Sequence, residues 1–547
     1  MKRLLLLPLL LLVSPGIARA ADVTMVARNV PLGPRTLQAA QAPIPFDMLG
    51  LHWRGSGTVE YRTLGVHGWS GWAEGDADSG PDVGSPEGRL TAGWHDGNLD
   101  WTGASTRVQF RTAGKITQLR AYYLSSKTVS RPARTLSIAG SPSIVMRSQW
   151  EADEKIVRAK PMYAPTLKLA IVHHTAGTND YTPAEAAAIV RGIEVYHVEA
   201  NGWNDIGYNF LIDRYGTIYE GRGGGIDRNV IGAHALGFNT GTVGIALIGD
   251  FDHSTPPPAM QRALVRLLAW RLDIAHIDPL STVAYTSGGN AKFRAGKVVV
   301  LRAISGHRDT GPTDCPGNDA YALLPQIAKE VSATGLPKLY SPVVSGALGG
   351  AVRFQGRLSS SLPWTVSVLN ARGTVVAQHT GTSSTVDWTW SSAAAGKGPF
   401  RWTMSAGAAV LGASGTLGGS LPAPAQAPSQ APVPAPAPAT PLLTGLSASP
   451  TVLTPLGGTS ALPVTVDFTL AAAAAVTVNA VPTTGAPVKI FTGTVPAGAS
   501  SFQWDLSALP DGRYTLSVTA QPATGTASTQ SAALVVDRTL TGLVATP

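Results

Sequence analysis

The chain has 547 residues, room for roughly three or four domains at about 150 residues each. Only 14% of residues are charged, beside 60 glycines and 41 prolines, which argues for loop-rich or β-rich modules and against helical bundles. Lys and Arg outnumber Asp and Glu by 42 to 34, a net charge of +8. That charge suits anionic polymers outside the cell or an acidic membrane surface as partners and equally suits plain solubility. With no dense basic run and no aromatic–basic interleaving, nucleic-acid binding is excluded as an expectation.

The first twenty residues read as a signal peptide: Lys2 and Arg3, an apolar run over 4–13, and the small-residue site Ala18-Arg19-Ala20. The mature chain is expected to begin near Ala21 and to be secreted. No later segment supplies the roughly 18 consecutive apolar residues of a membrane span. The run at Ala471 to Ala475 is flanked by Thr469, Thr477 and Asn479.

Residues 21–142 alternate short apolar and polar runs with Gly and Asp turns, as at 57–64 and 107–112, and predict an antiparallel β domain. Trp53, Trp69, Trp72, Trp94 and Trp101 fall here. They suit a carbohydrate-stacking surface, yet the packing of a small β core explains most of them more simply.

Residues 145–335 mix strands and helices. The run 167–173 reads as a buried strand. Thr182, Pro183 and Glu185 form a helix start, with an N-cap, a proline at the first turn and a capping box. Ala186, Ile189, Val190 and Ile193 continue at helical spacing until Asn201-Gly202 stops the helix. Strands are predicted at 208–213, 217–220 and 242–248, and amphipathic helices at 258–272 and 319–331. The expected fold is an α/β domain, a mixed sheet flanked by helices.

Residues 338–420 return to β patterning. The segment 421–441 is a Pro-Ala-Gln tract, expected to be an extended spacer. Residues 442–547 are again β-rich. Trp390, Gly398 and Phe400 in the first are echoed by Trp504, Gly512 and Tyr514 in the second, and both read as β-sandwich-like domains. The second, through Phe502-Gln503-Trp504-Asp505, resembles the immunoglobulin-like module of bacterial flagellar hook-capping proteins over one hairpin.

Cys315 is the only cysteine. In an exported protein a lone thiol is buried, paired with another chain, free and reactive, or bound to metal, and the last best explains its presence. His173 ends the predicted buried strand. His307 and Cys315 share a loop with Gly306, Gly311 and Pro312 that curls both toward one point. Two imidazoles and a thiolate leave one position of a tetrahedral zinc ion open, as catalysis requires.

Around these residues the chain resembles the type 2 N-acetylmuramoyl-L-alanine amidases, the family that includes peptidoglycan recognition proteins and phage lysozyme amidases. The matching runs are Met146-Arg147-Ser148-Gln149-Trp150, Ile171-Val172-His173-His174-Thr175-Ala176 and Tyr196-His197. They continue through 202–212, Gly232-Ala233-His234, Asn239, 243–251, Gly306-His307-Arg308-Asp309 and Cys315-Pro316-Gly317. The resemblance implies one zinc ion held by His173, His307 and Cys315, with Tyr208 beside it, and peptidoglycan as substrate. Where the phage enzymes carry a lysine two positions before the cysteine, this chain has Thr313, so no second cation acts there. Members that only recognise peptidoglycan commonly lack the cysteine, and cytoplasmic anhydro-muropeptide amidases typically place an aspartate there.

Tyr208 is expected to donate to a developing oxyanion, and Thr313 to add a donor or orient water. His174 and His197 are expected in packing or supporting roles, His234 either at the cleft or in the structure, and Trp203 in the core. Asp205 and Asp309 have the chemistry of a glycosidase acid pair, but the resemblance makes them loop-stabilising. Two rivals stand beside a zinc amidase: a recognition protein that binds without cutting, and a thiol hydrolase with Cys315 as nucleophile and His307 as base.

Overall fold

The computed structural model of the chain describes residues 17–20, 23–33, 36–76, 80–82, 84–87, 93–127, 135–136, 140–419, 442–449, 452–453, 462–482, 486–522, 527–536 and 538. Nearly all of the expected signal peptide and the whole of the expected spacer at 421–441 lie outside these residues. The described residues fall into two compact units, one within Met1–Ala423 and the other within Pro424–Pro547. Among them no helix is long and apolar enough to cross a membrane.

The N-terminal module is built on two very long antiparallel strands, β2 (Ala40–Gly65) and β3 (His95–Ser126), with β1 (Val23–Asn29) pairing the far end of β3. Alternation along them sends Leu49, Leu51, Trp53, Val59 and Tyr61 into one core with Val108 and Phe110. Of the five tryptophans, Trp53 and Trp101 are buried and Trp69 is exposed. Arginines lie over the partly exposed rings, Arg62 and Arg111 over Trp72 and Arg54 over Trp94, as cation–π partners.

The central region carries a seven-stranded mixed sheet. Its strands are β4 (Ile144–Val145), β5 (Leu169–His174), β6 (Phe210–Ile212), β7 (Ile218–Glu220), β8 (Thr242–Leu247) and, after the hairpin β9 (Thr282–Thr286) and β10 (Val298–Arg302), β11 (Ile304–Gly306). The order is β11-β5-β8-β6-β7-β4, closed by the short strand Thr135–Leu136. β11, β5, β8 and β6 run parallel and β7 is antiparallel to β6. All six residues of β5 are buried, as a parallel strand covered on both faces requires.

One face of the sheet packs against α2 (Pro258–Ile274) and α4 (Asn318–Ala333) through Met260, Leu264, Leu268, Leu324 and Ile327. The other packs against α1 (Pro183–Val195), whose first turn is closed by Glu185 accepting from Thr182 N at 2.7 Å. The helix continues as a π turn over Tyr196–Ala200 before Asn201, so its last turn is wider than the sequence pattern suggests. α1 is itself covered by the N-terminal module. Met48, Leu99, Trp101, Tyr122 and Leu124 form one apolar cluster with Tyr181, Ile189, Ile193 and Tyr196.

His52 sits in that joint. Its neutral ring is satisfied, with Nε2 donating to Asn201 Oδ1 at 2.9 Å and Nδ1 accepting from Tyr122 OH at 3.2 Å. Burial lowers its pKa from 6.5 to about 4, more than the Asn201 bond raises it. Asp96, at 3.9 Å from Nε2, is too distant for a hydrogen bond to offset this. The unfolded chain therefore takes up a proton below pH 6.5 that the folded chain refuses until about pH 4. Stability from the neutral ring is full above 6.5 and is lost as pH falls through that window. Asp47 and Glu194, raised to about 7 by burial, act in the opposite sense, so the informative quantity is a difference. In urea unfolding, the advantage of wild type over His52→Gln is expected to shrink by roughly 3 kcal/mol between pH 7 and 4. A pH-independent difference would refute this account.

After α4, residues from Leu339 to Leu417 form a five-stranded antiparallel sheet with its own core of Val352, Phe354, Trp364, Val366 and Met404. The register shifts between Arg357 and Leu362, and the long strand Ala351–Leu369 pairs Leu339–Gly346 along its first half and Phe400–Ala406 along its second. The C-terminal unit holds a three-stranded and a five-stranded sheet, with Val464, Val466, Val476, Leu516 and Val518 in one apolar cluster.

A candidate metal centre at the ends of two parallel strands

β5 and β11 lie side by side and parallel, so their C-terminal ends open at the same edge of the sheet, where α/β folds place ligands. His173 stands at the end of β5, in register with Ala246 of β8. His307 follows β11 directly as the first residue of the one-turn helix α3 (His307–Thr310). Gly306 before it has no room for a side chain, since a Cβ there would lie 2.7 Å from Tyr321 Cδ2 and 2.9 Å from Pro316 Cδ. Asp309 caps the turn, accepting from Gly306 N at 2.9 Å, and its other oxygen accepts from Tyr321 OH at 2.6 Å. The loop then returns Cys315 to the same edge, with Arg308 N donating to Cys315 O at 2.8 Å.

The outcome is a buried cluster. His173, His307 and Cys315 present donor atoms that all lie within 4.8 Å of one another. Cys315 Sγ is 3.8 Å from His173 Nδ1, and the two imidazole rings are 4.4 Å apart. A tetrahedral zinc with its usual bond lengths would hold nitrogen and sulfur about 3.6 Å apart, so the donor set and spacing fit that metal. Burial, then the neighbouring His307, push the His173 pKa well below its usual value, which keeps the ring neutral as ligation needs.

His234 does not line a cleft. It is fully buried behind His173, its Nδ1 3.0 Å from His173 Nε2. With His173 Nδ1 facing the thiol, Nε2–H is the donor and His234 Nδ1 the acceptor. Burial lowers the His234 pKa to about 3, so the ring stays neutral and keeps one acceptor nitrogen. A histidine ligand fixed through its second nitrogen is the usual arrangement around metals. The ring rests against β8, where a Cβ on Gly244 would fall 2.4 Å from it. Asn239 Oδ1 accepts from His234 N at 2.8 Å and from Ala235 N at 2.9 Å, closing the turn that carries the ring. Sequence reasoning assigned Asn239 no role. Its signal was its place in a Gly- and Ala-rich turn, where asparagine bonds nearby backbone.

Tyr208 is buried beside the cluster, its ring 5.3 Å from that of His173. Thr313 is half-buried at the loop, its Oγ1 accepting from Cys315 N at 3.1 Å. His197 packs against Trp203 and Tyr208 and accepts from Gly207 N at 3.0 Å. His174 points away from the donors, accepting from Phe251 N at 3.3 Å, while Trp203 is core. Asp205 accepts from Gly223 N at 2.8 Å and Ile206 N at 2.7 Å and pairs with Arg147 at 3.1 Å. Both it and Asp309 are thus committed to holding loops.

Sequence reasoning did not foresee the reach of the N-terminal module into this region. Glu87 makes a two-pronged buried ion pair with Arg222 at 2.9 and 3.0 Å, and Asn204 N donates to it at 3.0 Å. Burial alone would raise the Glu87 carboxyl, but the Arg222 guanidinium holds it below its usual value.

The buried His-His-Cys cluster on a mixed sheet is a site that could hold a metal ion. The family model described as N-acetylmuramoyl-L-alanine amidase matches residues 163–318. Peptidoglycan-recognition protein SC2 of Drosophila simulans is 34% identical over 179 residues, covering 33% of this chain and 83% of that protein. Peptidoglycan recognition protein 1 of Bos taurus is 32% identical over 185 residues, covering 34% and 83%. The N-acetylmuramoyl-L-alanine amidase of Homo sapiens is 34% identical over 197 residues, 35% of this chain but only 29% of that protein. The chain belongs to the type 2 N-acetylmuramoyl-L-alanine amidase and peptidoglycan recognition protein family.

Proposed function

We propose that this protein is an exported, zinc-dependent peptidoglycan hydrolase that cleaves the amide between N-acetylmuramic acid and the L-alanine of the stem peptide. The observation that carries the reading is the convergence of His173, His307 and Cys315 on one point beside Tyr208. Residues 145–335 are the hydrolase module. The β modules at 21–142, 338–420 and 442–547 are proposed to place it on the wall, helped by the net charge of +8 toward anionic wall polymers.

Bound by the three donors, zinc would supply polarisation of the scissile carbonyl and a water that is acidic near neutral pH. His234 keeps His173 in the tautomer whose Nδ1 is available. Tyr208 donates its phenol proton to the oxyanion as it forms. Thr313 Oγ1 already accepts from Cys315 N, so its own proton is left to donate toward the substrate.

Two measurements test the proposal. Protein stripped of metal by a chelator is expected to lose release of stem-peptide amines from peptidoglycan and to regain it with zinc. Undiminished turnover after verified metal removal would sink the reading. Tyr208→Phe is expected to lower kcat by about 10²- to 10³-fold with little change in KM, the mark of a donor used in the transition state.

Recognition without cleavage is the second reading, favoured by the names of the recognition proteins among the relatives. Saturable binding of peptidoglycan by zinc-loaded protein, with no new amine released, would decide for it.

A further inference from the structure

Asn239 joins the metal centre to a part of the chain that the family match does not reach. Its carboxamide is saturated. Oδ1 takes the two backbone N–H groups of His234 and Ala235, and Nδ2 donates to Asp82 Oδ1 at 2.8 Å and to Gly80 O at 3.1 Å. Asp82 Oδ1 also accepts from Gly237 N at 2.8 Å. Both acceptors belong to the N-terminal module, Asp82 lying 157 positions before Asn239. A carboxylate accepting twice makes charge-assisted bonds, stronger than those of a neutral acceptor.

We infer that Asp82 is a positioning residue for the metal centre, acting through Asn239 and the 234–239 turn on the ring of His234, and through that ring on His173. The order of contacts supports this direction. The turn is held by Asp82 at Gly237 and Asn239, reaching in from the N-terminal module, by Thr242 Oγ1 donating to Phe238 O at 2.7 Å, by Asn290 Nδ2 donating to Leu236 O at 2.8 Å and by Gly288 N donating to Gly237 O at 2.7 Å. Thr242 Oγ1 also lies 3.5 Å from His234 Nε2, so both nitrogens of His234 depend on where the turn sits. Without Asp82 the amide of Asn239 loses one acceptor and the Gly237 N–H loses its own. The turn then relaxes, and the 3.0 Å approach of His234 to His173 relaxes with it. The N-terminal module thereby forms part of the metal centre's support.

The inference rests on the zinc reading, and its test separates the two. Zinc affinity of full-length wild type, Asp82→Ala, Asn239→Ala, the double variant and Glu87→Gln is measured by competition with a chromophoric chelator, beside the melting temperature. Asp82→Ala is expected to bind zinc about tenfold more weakly, as loss of a support around metal ligands does. The double variant should lose less affinity than the two single losses combined, because both changes break the Asp82–Asn239 bond while only Asp82→Ala also frees Gly237 N. Glu87→Gln, which loosens the same segment at Arg222, should lower the melting temperature while zinc affinity stays within about twofold, well short of a support's loss. Equal loss of affinity in Asp82→Ala and Glu87→Gln, unchanged affinity in Asp82→Ala, or additive effects in the double variant would each overturn the inference. If Asp82→Ala does not fold, Asp82→Leu, which keeps the side-chain bulk and removes the acceptor oxygen, replaces it, and zinc affinity there equal to wild type would overturn the inference. Wild type that binds no zinc would instead refute the functional reading itself.

Discussion

Serine in place of Cys315 is expected to cut peptidoglycan hydrolysis by more than about a thousandfold, because several kcal/mol of transition-state stabilisation depend on the metal. The substitution is nearly isosteric at a buried position, so the fold should survive while zinc is lost. Oxygen in a neutral hydroxyl is a poor substitute for a thiolate, which binds zinc as the charged form. Metal content and turnover measured on the same samples check both parts. A Cys315→Ser protein with full zinc and full activity would remove Cys315 from the ligand set. The thiol-hydrolase alternative is separated by alkylation: a metal-bound thiolate should react only after zinc is withdrawn, whereas a free nucleophile reacts in either state.

A chain that begins at Gly140 is expected to yield little soluble monomer. The long strands β2 and β3 bring Met48, Leu99, Trp101, Tyr122 and Leu124 onto α1 and its neighbours. Covering such side chains contributes about 1.5–3 kcal/mol each, and their sum is comparable with the 5–15 kcal/mol by which a domain is stable. The truncation also strips Glu87 from Arg222, a buried guanidinium, and breaking such a pair from one side costs roughly 3–5 kcal/mol. A chain ending at residue 423 makes the opposite comparison. The C-terminal unit has a separate core, so its removal should leave melting temperature and turnover on soluble muropeptides unchanged. Gel filtration and thermal unfolding of the two truncations decide the matter. A soluble Gly140 chain melting like the full protein would show that the shared apolar cluster stabilises little.

The two expectations differ in how visible they were beforehand. Cys315 announced itself by being alone in the sequence, and β5 by an unbroken apolar run ending in His173. The capping box at Thr182 and Glu185 formed as the pattern required, with the carboxylate on Thr182 N, because a helix start is settled by residues within one turn of each other. The same local logic found the strands at Phe210–Ile212, Ile218–Glu220 and Thr242–Leu247. It was less reliable at the end of α1, where the helix widens into a π turn and Tyr196 meets Tyr122 edge-on.

By itself the sequence offered the candidate residues, His173, His307 and Cys315 by their chemistry and Tyr208 and Thr313 through the family resemblance, and many of the local elements around them, since capping, alternation and turn chemistry act over a few residues. Tertiary structure alone decided that His234 stands behind His173 instead of at a cleft, that Asn239 closes its turn, and that Asp82 and Glu87 reach in from another module. The physical reason is distance along the chain. Asp82 and Asn239 stand 157 positions apart, and no periodicity or cap records a hydrogen bond that exists only once two sheets have packed.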